Sequence, residues 1–284
     1  MIIVDLSQVM ISNLMVQLGN HTNAELEEDL LRHMILNSIR SYNMKFRNEY
    51  GEMIIACDAG NSWRRDIFPY YKASRRKARA KSEINWTAVF DTLNKVRDEL
   101  KEFFPYRVIR VESAEADDVI GTLVHEFGNT NEKILILSGD KDFMQLQTYM
   151  NVKQFDPVQK RWKTTNDPDS FLKEHIIRGD TGDGVPNFLS ADDTFVTGSR
   201  QKPISKKKLD GWLSSNDPED FCDTTMLRGY LRNRQLVDLN YIPKNIREQV
   251  MTQYDEQSGK GRQHLFNYFI NNRLKLLLES INEF

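Results

Sequence analysis

"ILILSGDKDFMQL", residues 134–146, opens as an apolar run and closes with two aspartates one residue apart, Asp140 and Asp142. A short apolar run bounded by turn residues is the pattern of a strand buried on both faces. "MIIVDL" at 1–6, "MIIAC" at 53–57 and "YRVIRV" at 106–111 read the same way. Helical patterns lie between them. "AELEEDLLRHMILNSIRSYNMKF" spaces Leu26, Leu30, Met34, Ile35 and Ile39 near the helical period. "INWTAVFDTLNKVRDELKEFF" puts Trp86, Val89, Phe90, Leu93, Val96 and Leu100 on one side, and "AEADDVIGTLVHEF" forms a third helix. Strands alternating with helices predict an α/β fold, a mostly parallel central sheet covered by helices on both faces. Beyond about residue 160 strands become scarce. The expected division is an α/β domain over 1–160 and a smaller helical region over 161–284.

In such a sheet, ligands bind outside the carboxyl ends of the strands. Asp5 and Asp58 each follow a strand, Glu115, Asp117 and Asp118 open the helix after the third, and Asp140 and Asp142 follow the fourth. Asp180 and Asp183 sit in the glycine-flanked loop "RGDTGDGVPN". Each acid alone has an ordinary structural role: an aspartate after a strand caps the next helix, and acids in a first helical turn favour its dipole. Together they repel, and cations are the simplest neutralisation. The five histidines are scattered and the two cysteines are far apart, so the predicted ligation is all oxygen, which suits Mg2+, with Mn2+ as a substitute, better than zinc. Two groups of acids suggest two ions. A pair roughly 4 Å apart holds the attacking and leaving oxygens of a phosphoryl displacement, so the site asks for a phosphodiester.

The chain has 284 residues, 28% charged, with a net charge of −2 and two cysteines, which suits a soluble protein of a reducing cytoplasm. No apolar run approaches a membrane span and no leader precedes the first strand, so the expectation is a cytoplasmic protein. Global charge predicts no nucleic-acid partner; local charge does. "NSWRRDIFPYYKASRRKARAK", residues 61–81, carries eight Lys or Arg and one acid, with aromatics interleaved. Cations contact phosphates and aromatic faces stack on exposed bases. The helical period places Lys72, Arg75, Arg76 and Arg79 on one face, with Lys77 pointing elsewhere. A solvated charged face is the plain alternative. A second basic run, "SRQKPISKKK" at 199–208, ends in Lys206, Lys207 and Lys208 and is either a duplex-tracking element or a solvated loop.

At this point the residues resemble a known family. "EADD" at 115–118, "GDKDF" at 139–143, "GDTGDGVPN" at 179–187, the strand-end Asp5 and Asp58, and the basic segment between the second and third acids resemble the flap endonuclease, or five-prime nuclease, family. The resemblance implies a PIN-like nuclease fold with a helical arch at about 61–84. It implies removal of RNA primers and adjacent DNA from five-prime ends and cleavage of flaps during replication. It puts Asp5, Asp58, Glu115, Asp117 and Asp140 around a first Mg2+, Asp118 beside it acting through water, and Asp142, Asp180 and Asp183 around a second. It gives Lys72 and Arg75 to the scissile phosphate and Tyr71 to a base, with Arg64, Arg65, Arg76, Arg79 and Lys206–Lys208 as further DNA contacts. Implied partners are branched or nicked duplex DNA and RNA–DNA hybrid, bound by a monomer, with a single-stranded DNA-binding protein or sliding clamp reached through the tail. One departure stands out: "VPNFLSADDTFVTGSRQKPISKKK" replaces the glycine-rich helix-hairpin-helix of many members, and Asp192 and Asp193 read as cap or turn residues there.

Two rivals follow from the same residues. A PIN-type ribonuclease shares an acidic core but does not need the basic segment, Asp180 or Asp183. A non-catalytic branched-DNA-binding protein would predict missing acids, and the set is intact. In the tail "LFNYFINNRLKLLLESINEF", Leu265, Phe269, Leu276 and Ile281 form an apolar stripe for a partner, or else pack on the body.

Overall fold

The computed structural model describes residues 1–18, 27–82, 84–215 and 217–284, and leaves the side chains of residues 76–78 and 80 undescribed. Six strands, β1 (Ile2–Asp5), β2 (Met53–Ala56), β3 (Arg107–Ile109), β4 (Ile134–Leu137), β5 (Val152–Asp156) and β6 (Arg161–Lys163), form one sheet in the order β3-β2-β1-β4-β5-β6. All neighbours pair in parallel except β5 and β6. The chain runs outward from β1 to β3 and then returns to β4 on the other side of β1. That reversal opens a crevice at the carboxyl ends of β1 and β4, where Asp5 and Asp140 lie.

The helices in chain order are α1 (Leu6–Leu18), α2 (Glu28–Tyr50), α3 (Arg64–Ile67), α4 (Ala73–Ala80), α5 (Trp86–Phe103), α6 (Ala116–Phe127), α7 (Pro168–Arg178), α8 (Thr194–Thr197), α9 (Lys206–Ser214), α10 (Thr224–Val237), α11 (Lys244–Glu256), α12 (Leu265–Asn271) and α13 (Lys275–Leu278). Strand residues alternate between two cores, as the pleat requires. Ile2, Val4, Ile55, Leu135 and Leu137 face α1, α2 and α5, while Ile3, Ile54, Ile134 and Ile136 face α6 and α11. A third core joins α7, α9 and α10 to Phe68 and Tyr71 of the basic segment. Both sheet cores draw on residues after 238, so the halves split at residue 160 are packed together.

Four sequence expectations need correction. α1 follows β1 directly and was not foreseen, nor were β5 and β6. The buried stripe of α2 is Leu31, Ile35, Ile39 and Phe46, with Leu30 exposed; Leu26 lies outside the described residues. The tail is not one striped helix. Leu265, Phe269, Leu274, Leu277 and Phe284 are buried in the first core, whereas Leu276 is exposed. Arg273 has φ 55°, a left-handed conformation that interrupts the helical path between α12 and α13. Phe269 meets Phe104, Tyr268 and Phe284 ring to ring and is fully buried. Phe269→Ala is expected to destabilise the protein by about 3–5 kcal/mol. Urea denaturation checks this, and a loss below about 1 kcal/mol would contradict core packing of the tail.

Candidate active site

The first group of acids is built by strand ends and one helix start. Asp5, the last residue of β1, accepts from Gln8 N at 3.1 Å and from Ser138 Oγ at 3.0 Å. Asp58, just past β2, accepts from Ala116 N at 2.8 Å and from Ser7 Oγ, so it ties the start of α6 to the start of α1. Glu115 caps α6 in a reciprocal box with Asp118. Asp140 Oδ1 accepts from Asp142 N at 3.0 Å, turning the chain after β4. Asp117, in the first turn of α6, has no hydrogen bond to its carboxylate among the described residues. Burial, and then the Asp140 charge, hold its pKa well above the ordinary carboxylate value.

The second group depends on a tight loop after α7. Gly179 has φ 67°, and a Cβ there would meet Val185 O at 2.4 Å, so only glycine fits this turn. Asp180 and Val185 then pair as an antiparallel bridge, and Asp180 Oδ1 accepts from Asp183 N at 3.1 Å. Asp142 reaches the same region from the other side. Asp192 lies further on, ion-paired with Arg228 and Arg232; Arg232 also donates to Pro186 O at 2.9 Å and fixes the chain after the loop. Asp192 is thus a structural residue. Among the described residues, the stretch 186–205 between α7 and α9 holds one short helix, the single turn α8.

Cations enter both groups, though not as helical periodicity predicted. α4 begins at Ala73, so Lys72 does not share its face with Arg75 and Arg79. Lys72 has φ 55°, and its N–H donates to Asp183 O at 2.7 Å. This strained turn aims its ammonium inward, 2.5 Å from Glu115 Oε1 and 3.5 Å from Asp183 Oδ2. Arg75 pairs with Asp183. Lys141 Nζ lies 2.8 Å from Asp180 Oδ2. Tyr71 is buried, not a stacking surface; its hydroxyl lies 2.8 Å from Glu115 Oε2 and 2.9 Å from Asp183 Oδ2, bridging the groups. Arg64 is likewise no surface cation. It is buried against Glu115 and Asp118 and donates to Leu236 O at 2.8 Å. Asp118 is fully buried, accepting from Trp63 Nε1 at 3.1 Å and Glu115 N at 2.8 Å, so it builds the site without facing it. Arg65 is half-buried, and Arg79 stacks on Phe90 at 4.8 Å. Lys206, Lys207 and Lys208 are exposed in the first turn of α9, and the Arg76 side chain lies outside the described residues.

His175 was missed. It stands between Asp142 and Asp180, so the acids are not free of histidine. The available signal was its place one turn before a glycine-hinged acidic loop.

Residues 7–175 match the family described as 5'-3' exonuclease, N-terminal resolvase-like domain, and residues 167–284 match T4 RNase H, C terminal. The chain is 34% identical to the ribonuclease H of Enterobacteria phage T4, over 99% of this chain and 95% of that protein. The stretches "WRRD", "YYK", "NVKQF" and "SINEF" resemble that phage enzyme, and the identity agrees. The 5'-3' exonuclease of Buchnera aphidicola subsp. Acyrthosiphon pisum is 27% identical over 54% of this chain and 53% of its own length. The zinc-bound 5'-exonuclease of phage T5 has the same fold, with a TM-score of 0.63 at 18% identity, over 91% of this chain and 99% of that one. A T5 flap endonuclease complexed with DNA and metal ions gives 0.61 at 19% identity, over 90% and 98%. The chain belongs to the 5'-3' exonuclease family and is a five-prime nuclease, as its motifs implied.

The acids fit divalent metal. Burial, then Asp58, pushes Asp5 up to about 7. Burial pushes Asp142 up to about 7, against His175 and with Asp140, and its buried Oδ1 has no hydrogen-bond partner among the described residues. Against their own burial, Lys72 and Arg64 hold Glu115 below its ordinary value, and His175 and Lys141 do the same for Asp180. A raised carboxyl keeps its proton in the folded chain after the unfolded chain has released it, so its contribution falls as pH rises from 3.8 to about 7. His175, raised by its two carboxylate neighbours against its burial, loses its contribution as pH rises through its folded pKa, in the same direction. Glu115 and Asp180 change only in the acid range. Metal-free protein is therefore expected to melt lower at about pH 8 than at about pH 5.5, with Mg2+ raising the melting temperature more at the higher pH. Thermal scans check this; equal metal shifts at both pH values would contradict it.

Proposed function

We propose that the protein removes RNA primers and adjacent DNA from five-prime ends, and cleaves five-prime flaps, by two-metal phosphodiester hydrolysis in DNA replication. The observation that carries this reading is the meeting of Asp5, Asp58, Glu115, Asp117 and Asp140 at the β1–β4 crevice, with Lys72 inserted among them. These five acids would hold the first ion, and Asp142, Asp180 and Asp183 the second. Mg2+ is the proposed metal, with Mn2+ as a substitute. Bound divalent ions supply activation of water and stabilisation of the leaving oxygen.

The chain's own groups supply the rest. The Lys72 ammonium stabilises negative charge on the scissile phosphate, and Arg75 orients it. Tyr71 and Arg64 hold Glu115 in place. Lys206, Lys207 and Lys208 start α9, where three cations oppose the helix dipole; a duplex phosphate at that end would offset the repulsion. The substrates on this reading are branched or nicked duplexes and RNA–DNA hybrids, bound by a monomer in the cytoplasm of the cell where replication occurs. Among the described residues no helix is long and apolar enough to cross a membrane. A single-stranded DNA-binding protein or sliding clamp would meet the exposed Phe266, Ile270 and Leu276, not the buried stripe.

Cleavage of end-labelled nicked, flapped and hybrid duplexes with Mg2+ tests the reading. Metal-dependent release from five-prime ends and branch points is expected. Tight binding without cleavage would instead support the non-catalytic branched-DNA-binding protein. Asp180→Asn with Asp183→Asn is expected to slow cleavage by about tenfold or more, partly rescued by excess metal. A metal titration identical to wild type would remove that loop from the metal site.

A further inference from the structure

His175 occupies the last turn of α7, among the acids proposed for the second ion, and the reading above gives it no role. It is only 7% exposed. Its Nδ1 lies 3.5 Å from Asp142 Oδ1, and its Nε2 lies 3.4 Å from Asp180 Oδ2. Among the described residues neither Nε2 nor Asp142 Oδ1 has a hydrogen-bond partner, and both atoms are shielded from solvent. One donor atom from each of the three residues lies within 4.8 Å of the others. Ligands bound at about 2.1 Å, at right-angled or tetrahedral positions, stand about 3.0–3.4 Å apart. A cation between these atoms therefore asks for only small side-chain shifts.

The surroundings favour a held imidazole. Phe171 packs edge-on to the ring, with centroids 6.0 Å apart, and the neighbouring Ile176 and Ile177 are buried in the third core. Lys141, the other cation on Asp180 Oδ2, has a half-exposed side chain free to swing away. A purely structural histidine so deeply buried would be expected to align Nε2 with an acceptor.

We propose that His175 is a nitrogen ligand of the second divalent cation, alongside Asp142 and Asp180. The inference rests on the two-ion reading. It makes the two positions chemically unequal: the first all oxygen, the second mixed. An imidazole ligand favours Mn2+, Co2+ or Zn2+ over Mg2+, which prefers oxygen. The second position would then discriminate between metals where the first does not.

The test is pulsed electron paramagnetic resonance of Mn2+ bound to the full chain, without DNA, at one and two equivalents. The protein carries either natural or 15N-labelled histidine, and a His175→Gln variant is measured beside it. Two bound ions are expected, one showing histidine-nitrogen coupling that changes with the isotope and vanishes in the variant. In the variant, Mn2+ affinity at that position should fall by about tenfold or more, and Mg2+ affinity by less. If the variant does not fold, the isotope comparison in the natural chain decides. Two bound ions without histidine coupling overturn the inference, leave the two-ion reading intact, and make His175 a counter-charge for Asp142 and Asp180. Coupling that persists in the folded variant also overturns it. A single bound ion without histidine coupling overturns both.

Discussion

Asp117→Asn leaves a folded protein that cleaves flaps at least about 100-fold more slowly than wild type at saturating Mg2+. The expectation rests on a contrast among the acids. Asp5, Asp58 and Glu115 each accept hydrogen bonds that build the crevice, so their loss disturbs structure and chemistry together. Asp117 makes no such bond among the described residues and is crowded by Asp140, Glu115 and Asp5. The folded chain therefore gains no stability from its charge, and the amide should be tolerated or even stabilising without metal. DNA binding without metal should tighten, because a charge that repels phosphate is gone. Single-turnover cleavage and thermal melting, measured together, separate the effects. A rate above about one hundredth of wild type removes Asp117 from the catalytic acids.

Lys72→Ala is expected to slow the single-turnover step by about 100-fold, near 3 kcal/mol, at saturating enzyme and metal. Its ammonium sits between Glu115 and Asp183 and is mostly shielded from solvent, where a charge acts strongly on a phosphate. Removing it relieves the left-handed backbone little, because alanine shares the steric penalty. It also leaves two carboxylates less neutralised, which should strengthen metal binding. A slow rate at saturating metal therefore belongs to the lost cation. Lys207→Ala, on the exposed start of α9, is the comparison: it should weaken binding and flatten the log–log salt slope by about one unit without lowering the saturated rate. If saturating enzyme restores Lys72→Ala to the wild-type rate, Lys72 serves binding alone.

The parallel sheet was legible because β1, β2 and β4 are continuous apolar runs, each closed by or soon followed by an acid. β5 was not. Its Lys153 and Gln154 read as polar, yet Gln154 is buried and donates to Ser138 O at 2.8 Å, a contact made only in three dimensions. The crevice acids follow from strand ends, but their division of labour does not. Asp118 and Asp117 are adjacent in sequence; helical geometry turns one into the capping box and leaves the other unbonded. Lys72 escaped the helical period because α4 starts one residue later, after a positive φ that no pattern of residue types announces. For His175 the acidic loop that follows it was the one signal; its contacts, with β4's exit and with the far side of Gly179, form only in three dimensions.

Anomalous diffraction from crystals of the protein with Mn2+ and a five-prime flap duplex tests the central claim most directly. The account predicts one ion among Asp5, Asp58, Glu115, Asp117 and Asp140, a second beside Asp142, Asp180 and Asp183, and the scissile phosphate against both and Lys72. Ions bound elsewhere, or a flap phosphate seated away from the β1–β4 crevice, would contradict it.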